Sequence, residues 1–164
     1  MNINRKNIIS NYPWLKEKKL HFIISADYDG IICASFLNHY LNWKLVGYYD
    51  LDTIWLSNDA INNKSNIIWV DLNILPHKGR TIGGHIVSIQ DTTPTGFKSS
   101  CNPNLILNLN SNDFIKKFPF STLLFLMWIH NIHIPKNLLA KQLVLNADAV
   151  WLKYQHYKEN IITW

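Results

Sequence analysis

The sequence predicts a single α/β domain with a mostly parallel sheet of about four to five strands flanked by helices. Three observations predict it. Short runs rich in β-branched and apolar residues alternate with helical patterns, the connections are short, and most strand-like runs end directly on an aspartate. Uninterrupted apolar runs of this length suit strands buried on both faces, as in parallel sheets.

The elements follow in order. Pro13 suits an early helical position, so a short helical or capping segment is expected over 11–19. Residues 20–26 (LHFIISA) read as the first strand, and Gly30 opens a helix to about Asn42 with Ile31, Ala34, Leu37 and Leu41 on its apolar face. The second strand spans 44–49 and ends at Asp50 and Asp52, and an ambiguous stretch holds Trp55 and Leu56. After the loop 62–66 the third strand, 67–70, ends at Asp71. A turn-rich link over 75–84 leads to a fourth strand, 85–89, that ends at Gln90-Asp91. Residues 92–104 read as loop and 108–118 as loop or short helix. An apolar helix is expected over 121–131, and Pro135 separates it from a last helical pattern running from 136 to about 157 with a break near Asn146.

Composition bounds the class. The chain has 164 residues, 48% hydrophobic and 13% aromatic, which argues against disorder and for one domain over 1–164 with no second domain. Sixteen Lys+Arg against 11 Asp+Glu give a formal charge of +5, which favours an anionic ligand such as a nucleotide or nucleic acid. Cys33 and Cys101 show no disulfide framework, MNINRKNIIS is unlike a secretory leader, and the apolar run 121–129 is shorter than the roughly 20 residues that span a bilayer. A cytoplasmic protein with no membrane association is therefore expected.

The carboxylates carry the functional signal. A lone aspartate after a strand reads first as a helix cap. Asp27, Asp50, Asp71 and Asp91 all follow predicted strands, so in a Rossmann-like sheet they surface on one edge, where open α/β folds bind ligands. The Asp27–Asp29 doublet crowds two charges onto one turn, and such a cluster calls for an acid/base task or a hard divalent cation such as Mg²⁺ or Mn²⁺.

In motif order the chain resembles the DHH phosphoesterases. IISADYDGIICASFL is similar to their first motif, a strand ending in D-x-D-G, and IIWVDLNI to the second, with Asp71. IVSIQDTTP, with Asp91, falls where the family carries D-H-H; CNPN resembles the Asn-Pro that often follows; FPFSTLLFLMWI matches the small-residue helix; LVLNADAVW resembles the fourth motif, with Asp148. The resemblance implies a phosphoester hydrolase using Mn²⁺ or Mg²⁺, with Asp27, Asp29, Asp71 and Asp148 as metal ligands and Asp91 among the catalytic residues. It implies nucleotide phosphodiesters or short single-stranded nucleic acids as substrates.

Thr92 and Thr93 replace both histidines of the third motif, and Ser25 stands where many members carry another. A threonine hydroxyl is a poor substitute for imidazole on a transition metal. His85 is the candidate replacement ligand; otherwise it reads as a histidine at a strand start bonded to backbone. The departures frame a second expectation, a catalytically silent module of the same type binding nucleic acid, a protein partner or a second copy of the chain. Its support is the positive charge and seven Trp, which together can hold phosphates and stack bases. A third is a haloacid-dehalogenase-type phosphatase with Asp27 as nucleophile and Asp29 as acid/base, but no downstream lysine with a paired-acid motif accompanies it. Most of the Trp residues are expected in the core or at its rim. His130 and His133 read as helix-end residues rather than a metal pair, and Ser121-Thr122 as an N-cap pair with a phosphate contact as the alternative.

Overall fold

The computed structural model describes residues 3–50, 52–72, 79–88 and 95–164; side chains of 150 and 151 are not described. Six strands form one sheet: β1 (His21–Ser25), β2 (Lys44–Tyr49), β3 (Ile54–Leu56), β4 (Ile68–Val70), β5 (Arg80–Ile82) and β6 (Ser100–Cys101). Their order is β3-β2-β1-β4-β5-β6, parallel throughout except for the antiparallel β2–β3 edge. This is the doubly wound order, and the direction of winding reverses between β1 and β4. The fold expectation is therefore met, with the short edge strands β3 and β6 added to the four named from the sequence.

β1 explains why the sheet is covered on both sides. Phe22 and Ile24 enter the larger core with Trp43, Leu37, Ile68 and Leu126, whereas Ile23 between them points the other way, into a small cluster with Val46, Tyr49 and Ile67. The larger face is covered by α1 (Arg5–Asn11), α2 (Tyr28–Leu41) and α5 (Thr122–Ile129), the smaller by α3 (Asn58–Ile61). The remaining helices, α4 (Pro103–Ile106), α6 (Leu138–Asn146), α7 (Val150–His156) and α8 (Lys158–Thr163), lie in the second half of the chain.

Two expected boundaries are corrected. The first helix lies over Arg5–Asn11, capped by the Asn4 side chain, and only a 3₁₀ turn, Pro13–Lys16, follows. Pro13 has no N–H to continue a helix from Asn11, so it starts a new turn instead. The fourth strand is not 85–89: it is β5, Arg80–Ile82, so His85 follows a strand rather than beginning one. Apolar alternation in HIVSI mimics a strand, but within that segment the described residues 85–88 make only an isolated bridge, Ser88 to Asn110. The last helix does break near Asn146, at Ala147–Ala149, where Asp148 and Ala149 adopt φ of 55° and 46°.

Trp14 and Trp43 are buried, while Trp55 is exposed. His130 packs its ring on Phe36 with Nδ1 3.5 Å from Lys16 Nζ, and burial first and Lys16 second lower its pKa to about 4. No described helix is long and apolar enough to cross a membrane.

Candidate functional site

The D-x-D-G segment turns from β1 into α2 with almost no space to spare. A Cβ on Gly30 would lie 2.3 Å from the Ser25 carbonyl oxygen, so only glycine allows the helix to start this close to the strand. Asp27 is the N-cap of α2: its Oδ1 accepts the Gly30 N–H at 2.9 Å. Asp29, two residues on, is buried and faces the start of α5, where its Oδ2 accepts the Thr122 N–H at 2.7 Å and its Oδ1 the Leu123 N–H at 3.1 Å. Ser121 caps the same helix through Leu124, so Asp29 and Ser121 divide the free amides of its first turn.

Asp71 follows β4 in the left-handed region at φ 63°, an unusual conformation that points to a constrained site. Its Oδ2 accepts the Ser25 hydroxyl at 2.7 Å and its Oδ1 the Thr122 hydroxyl at 2.6 Å. Ser25 Oγ also lies 2.9 Å from Asp27 Oδ1, so one hydroxyl hydrogen serves two carboxylates in turn. The imidazole Nε2 of His85 stands 3.2 Å from Asp71 Oδ1 and 3.0 Å from Asp148 Oδ2. Asp29, His85 and Asp148 each offer one donor atom within 4.8 Å of the others, the group among the described residues suited to a metal ion. A mixed carboxylate and imidazole donor set of this kind can hold a divalent cation.

The loop that presents His85 is held from behind by two buried asparagines. Asn104 Nδ2 donates to the Gly84 carbonyl at 2.7 Å, Asn102 Nδ2 donates to the Ile86 carbonyl at 3.1 Å, and Asn104 Oδ1 accepts the Phe118 N–H at 2.6 Å. A Cβ on Gly84 would come within 2.5 Å of the Phe118 ring, so the chain packs flush against that ring just before His85. Asn104→Ala leaves these buried groups unpaired and is expected to cost about 2–4 kcal/mol in urea unfolding; a loss under 0.5 kcal/mol would mean that water replaces the amide without cost.

Electrostatics follow from the crowding. Burial first, then the charges of Asp71 and Asp148, push the Asp29 carboxyl up to about 7 in spite of its two backbone hydrogen bonds. Burial also pushes Asp71 up, but the hydrogen bonds from His85 and Thr122, the His85 charge and Ser25 prevail and hold it below the usual range. His85 is raised: desolvation opposes its charge, and the hydrogen bond to Asp71 and the nearby carboxylates outweigh it. The Nε2 atom of His85 thus stands between two carboxylates whose charge a bound cation would neutralise.

Of the expected residues, Asp29, Asp71 and Asp148 converge, and Asp27 joins them through Ser25. Asp50 does not: it is exposed and its Oδ1 closes a turn on the Asp52 and Thr53 N–H groups. Asp91, with Thr92 and Thr93, lies outside the described residues. His85 belongs to the cluster because the strand before it ends three residues earlier, at Ile82. Thr122 is the residue that sequence reasoning placed least well, since its hydroxyl and N–H bind two carboxylates rather than its own helix or a phosphate. Compared with known proteins, the chain matches no family model, no curated protein and no solved structure.

Proposed function

We propose that the protein is a divalent-metal-dependent phosphoesterase of the DHH type, acting on nucleotide phosphodiesters or short single-stranded nucleic acid. The observation that carries this reading is the meeting of Asp29, Asp71, Asp148 and His85, from four separate segments, at the carboxyl edge beside the β1–β4 crossover. Three carboxylates packed together without a bound cation are unfavourable, as the raised Asp29 carboxyl indicates, and the raised His85 reflects the negative potential they create.

Each residue has a task under this reading. Asp29, His85 and Asp148 would hold Mn²⁺ or Mg²⁺, with Asp71 beside them. When bound, the ion would polarise the phosphoryl oxygens and acidify a water for in-line attack. Asp71 orients the His85 ring through Nε2. Ser25 and Thr122 fix both oxygens of Asp71, and the amides of α5 fix both oxygens of Asp29, so the donors are positioned before a ligand arrives. Asp29 is committed to two backbone amides, which favours this role over a free acid/base in a phosphoenzyme mechanism. The buried, unpaired Cys33 and Cys101 suit a reducing compartment, so cytoplasmic location is part of the proposal.

The test is a calorimetric titration with Mn²⁺ and hydrolysis of bis-p-nitrophenyl phosphate. Tight binding and turnover, both lost in His85→Ala, are expected; turnover that survives His85→Ala would remove the site from the chemistry. A second reading, a silent nucleic-acid-binding module, draws on one observation. Tyr48 and Trp55 are 43% and 58% exposed and stack with ring centroids 6.2 Å apart on the β2–β3 edge, a surface on which a base can lie. Under that reading oligo(dT) quenches tryptophan fluorescence in the wild type but not in Trp55→Ala, and Mn²⁺ gives no heat.

A further inference from the structure

The first turn of α5 serves the carboxylate cluster, and the rest of the helix borders a cavity of about 490 Å³, a volume within the range of small-molecule sites. Phe118, Phe125, Trp128 and Trp164 form its aromatic wall, and Leu145 of α6 adds to the lining. The wall is fixed in place. The Phe125 and Trp128 rings stack with centroids 6.1 Å apart, Trp164 meets Phe118 edge-on at 5.2 Å, and Trp164 Nε1 donates to the Lys116 carbonyl at 2.8 Å. The lining shares no residue with the carboxylate cluster.

A single guanidinium stands in this apolar lining, and among the described residues it has no counter-ion. Arg5, the first residue of α1, is there without any lysine, aspartate or glutamate beside it, and no described carboxylate pairs with it. Its Nη1 donates to Asn131 Oδ1 at 2.6 Å, and the guanidinium lies over the Trp128 ring at 5.1 Å. Asn131 follows the C-cap of α5 at φ 57°, a left-handed position that asparagine tolerates. Its Oδ1 faces the arginine, which leaves Nδ2 to donate elsewhere. Arg5 is half-buried, and its Nε is closed off from water with no acceptor. A cation placed in this way has given up hydration that one neutral amide oxygen returns only in part.

We propose that this cavity binds a monocarboxylate with an apolar alkyl or aryl body, its carboxylate seated on Arg5 and Asn131 and its body along the wall of Trp128 and Trp164. The head group follows from charge. One guanidinium matches one negative charge, and its planar fork suits a carboxylate. A phosphate monoester brings nearly two charges at neutral pH, and the second would stay unmatched beside aromatic rings. An ammonium would meet a like charge, and an alcohol would leave the arginine without a counter-ion. The body follows from the wall, since a small hydrophilic acid such as acetate buries no apolar surface there. The site stands whether or not the carboxylate cluster hydrolyses phosphoesters.

The experiment titrates decanoate, below its micellar concentration, into the full chain and reads calorimetric heat together with tryptophan fluorescence. Decanol and decylammonium, with the same chain and a neutral or cationic head, are run beside it. Decanoate is expected to saturate one site per chain and to change the fluorescence, with decanol at least about tenfold weaker and decylammonium not bound. Arg5→Met should lower decanoate to the affinity of decanol and leave decanol within about threefold of wild type, because the contacts of the body remain. Leu145→Trp fills the cavity with Arg5 intact and should abolish both ligands. Melting curves show that each variant is folded. Should Arg5→Met fail to fold, the decanoate-to-decanol ratio of the wild type and the response of Leu145→Trp decide. Equal affinity of the wild type for decanoate and decanol, binding that survives Leu145→Trp, or no binding of decanoate overturns the proposal. So does a decanoate heat that fades as the protein concentration rises while sedimentation shows a dimer, since a second copy then fills the cavity.

Discussion

Without divalent metal, the protein should melt roughly 5–10 °C lower at pH 8 than at pH 5.5, and Mn²⁺ should recover most of that loss at the higher pH. The Asp29 carboxyl stands at about 7 in the fold against 3.8 ordinarily, for reasons of burial first and the Asp71 and Asp148 charges next. Between those values the folded chain keeps a proton that the unfolded chain has released, so raising the pH penalises the fold, and fully so above about 7. His85 has the same sign in this window: its raised pKa adds stability that is complete below its ordinary 6.5 and disappears as the pH climbs past the folded value. Asp71 is lowered, so its contribution is lost only on acidification below the carboxylate range and stays constant here. The combined effect is on the order of 2–4 kcal/mol, since the carboxyls titrate as a pair and share the penalty. A cation at the cluster removes that penalty and adds its own binding energy, about 2.7 kcal/mol at a hundred times its Kd. A melting temperature that climbs from pH 5.5 to pH 8 in chelator would contradict the arrangement of charges described for Asp29 and His85.

How far the sequence already contained this site depends on the residue. The doubly wound sheet was legible because β1 and β4 are apolar runs that end on polar residues, a pattern that strands buried on both faces need, whereas β2 is exposed at Lys44, Leu45 and Tyr48. Asp27, Asp50 and Asp71 could be placed on one edge from that pattern alone, since parallel strands bring their carboxyl ends together, although Asp50 only closes a turn there. Asp148 could not be placed by periodicity: it sits at a kink between two helices in a left-handed conformation, and only the motif order pointed to it. The segment that begins at His85 reads as a strand because HIVSI alternates like one, whereas the true strand, Arg80–Ile82, is three residues long and carries an arginine at its start. Short strands in the middle of a sheet owe their conformation to the ladders on both sides, here β4 and β6, and leave little trace in their own residues. β6, two residues long, is the extreme case. Thr122 illustrates a further limit. Its side chain reads as part of a cap, yet Ser121 does the capping and frees Thr122 to bind Asp71, a division of labour that depends on where α2 places Asp29.

Asp148→Asn should cut Mn²⁺ affinity and phosphodiester turnover by at least about a hundredfold while changing stability by less than about 1 kcal/mol. The asymmetry follows from the backbone. Asp148 has φ 55° and ψ 21°, a conformation that asparagine adopts more readily than any other residue except glycine, so the kink between α6 and α7 survives. The amide oxygen can still accept from His85 Nε2, now 3.0 Å from Asp148 Oδ2, which preserves the ring's position. What is lost is the charge that a cation requires, together with the partner of Lys153. Asp148→Ala loses the same charge and adds roughly 1–2 kcal/mol of left-handed strain, so the pair of variants separates chemistry from folding. Asp50→Asn is the matched control: that carboxylate also follows a strand, but it only closes a turn on Asp52 and Thr53, and the variant should bind Mn²⁺ as tightly as the wild type does. Equal losses in Asp50→Asn and Asp148→Asn would mean that total acidity attracts the ion, whereas a loss confined to Asp148→Asn ties binding to the cluster around His85.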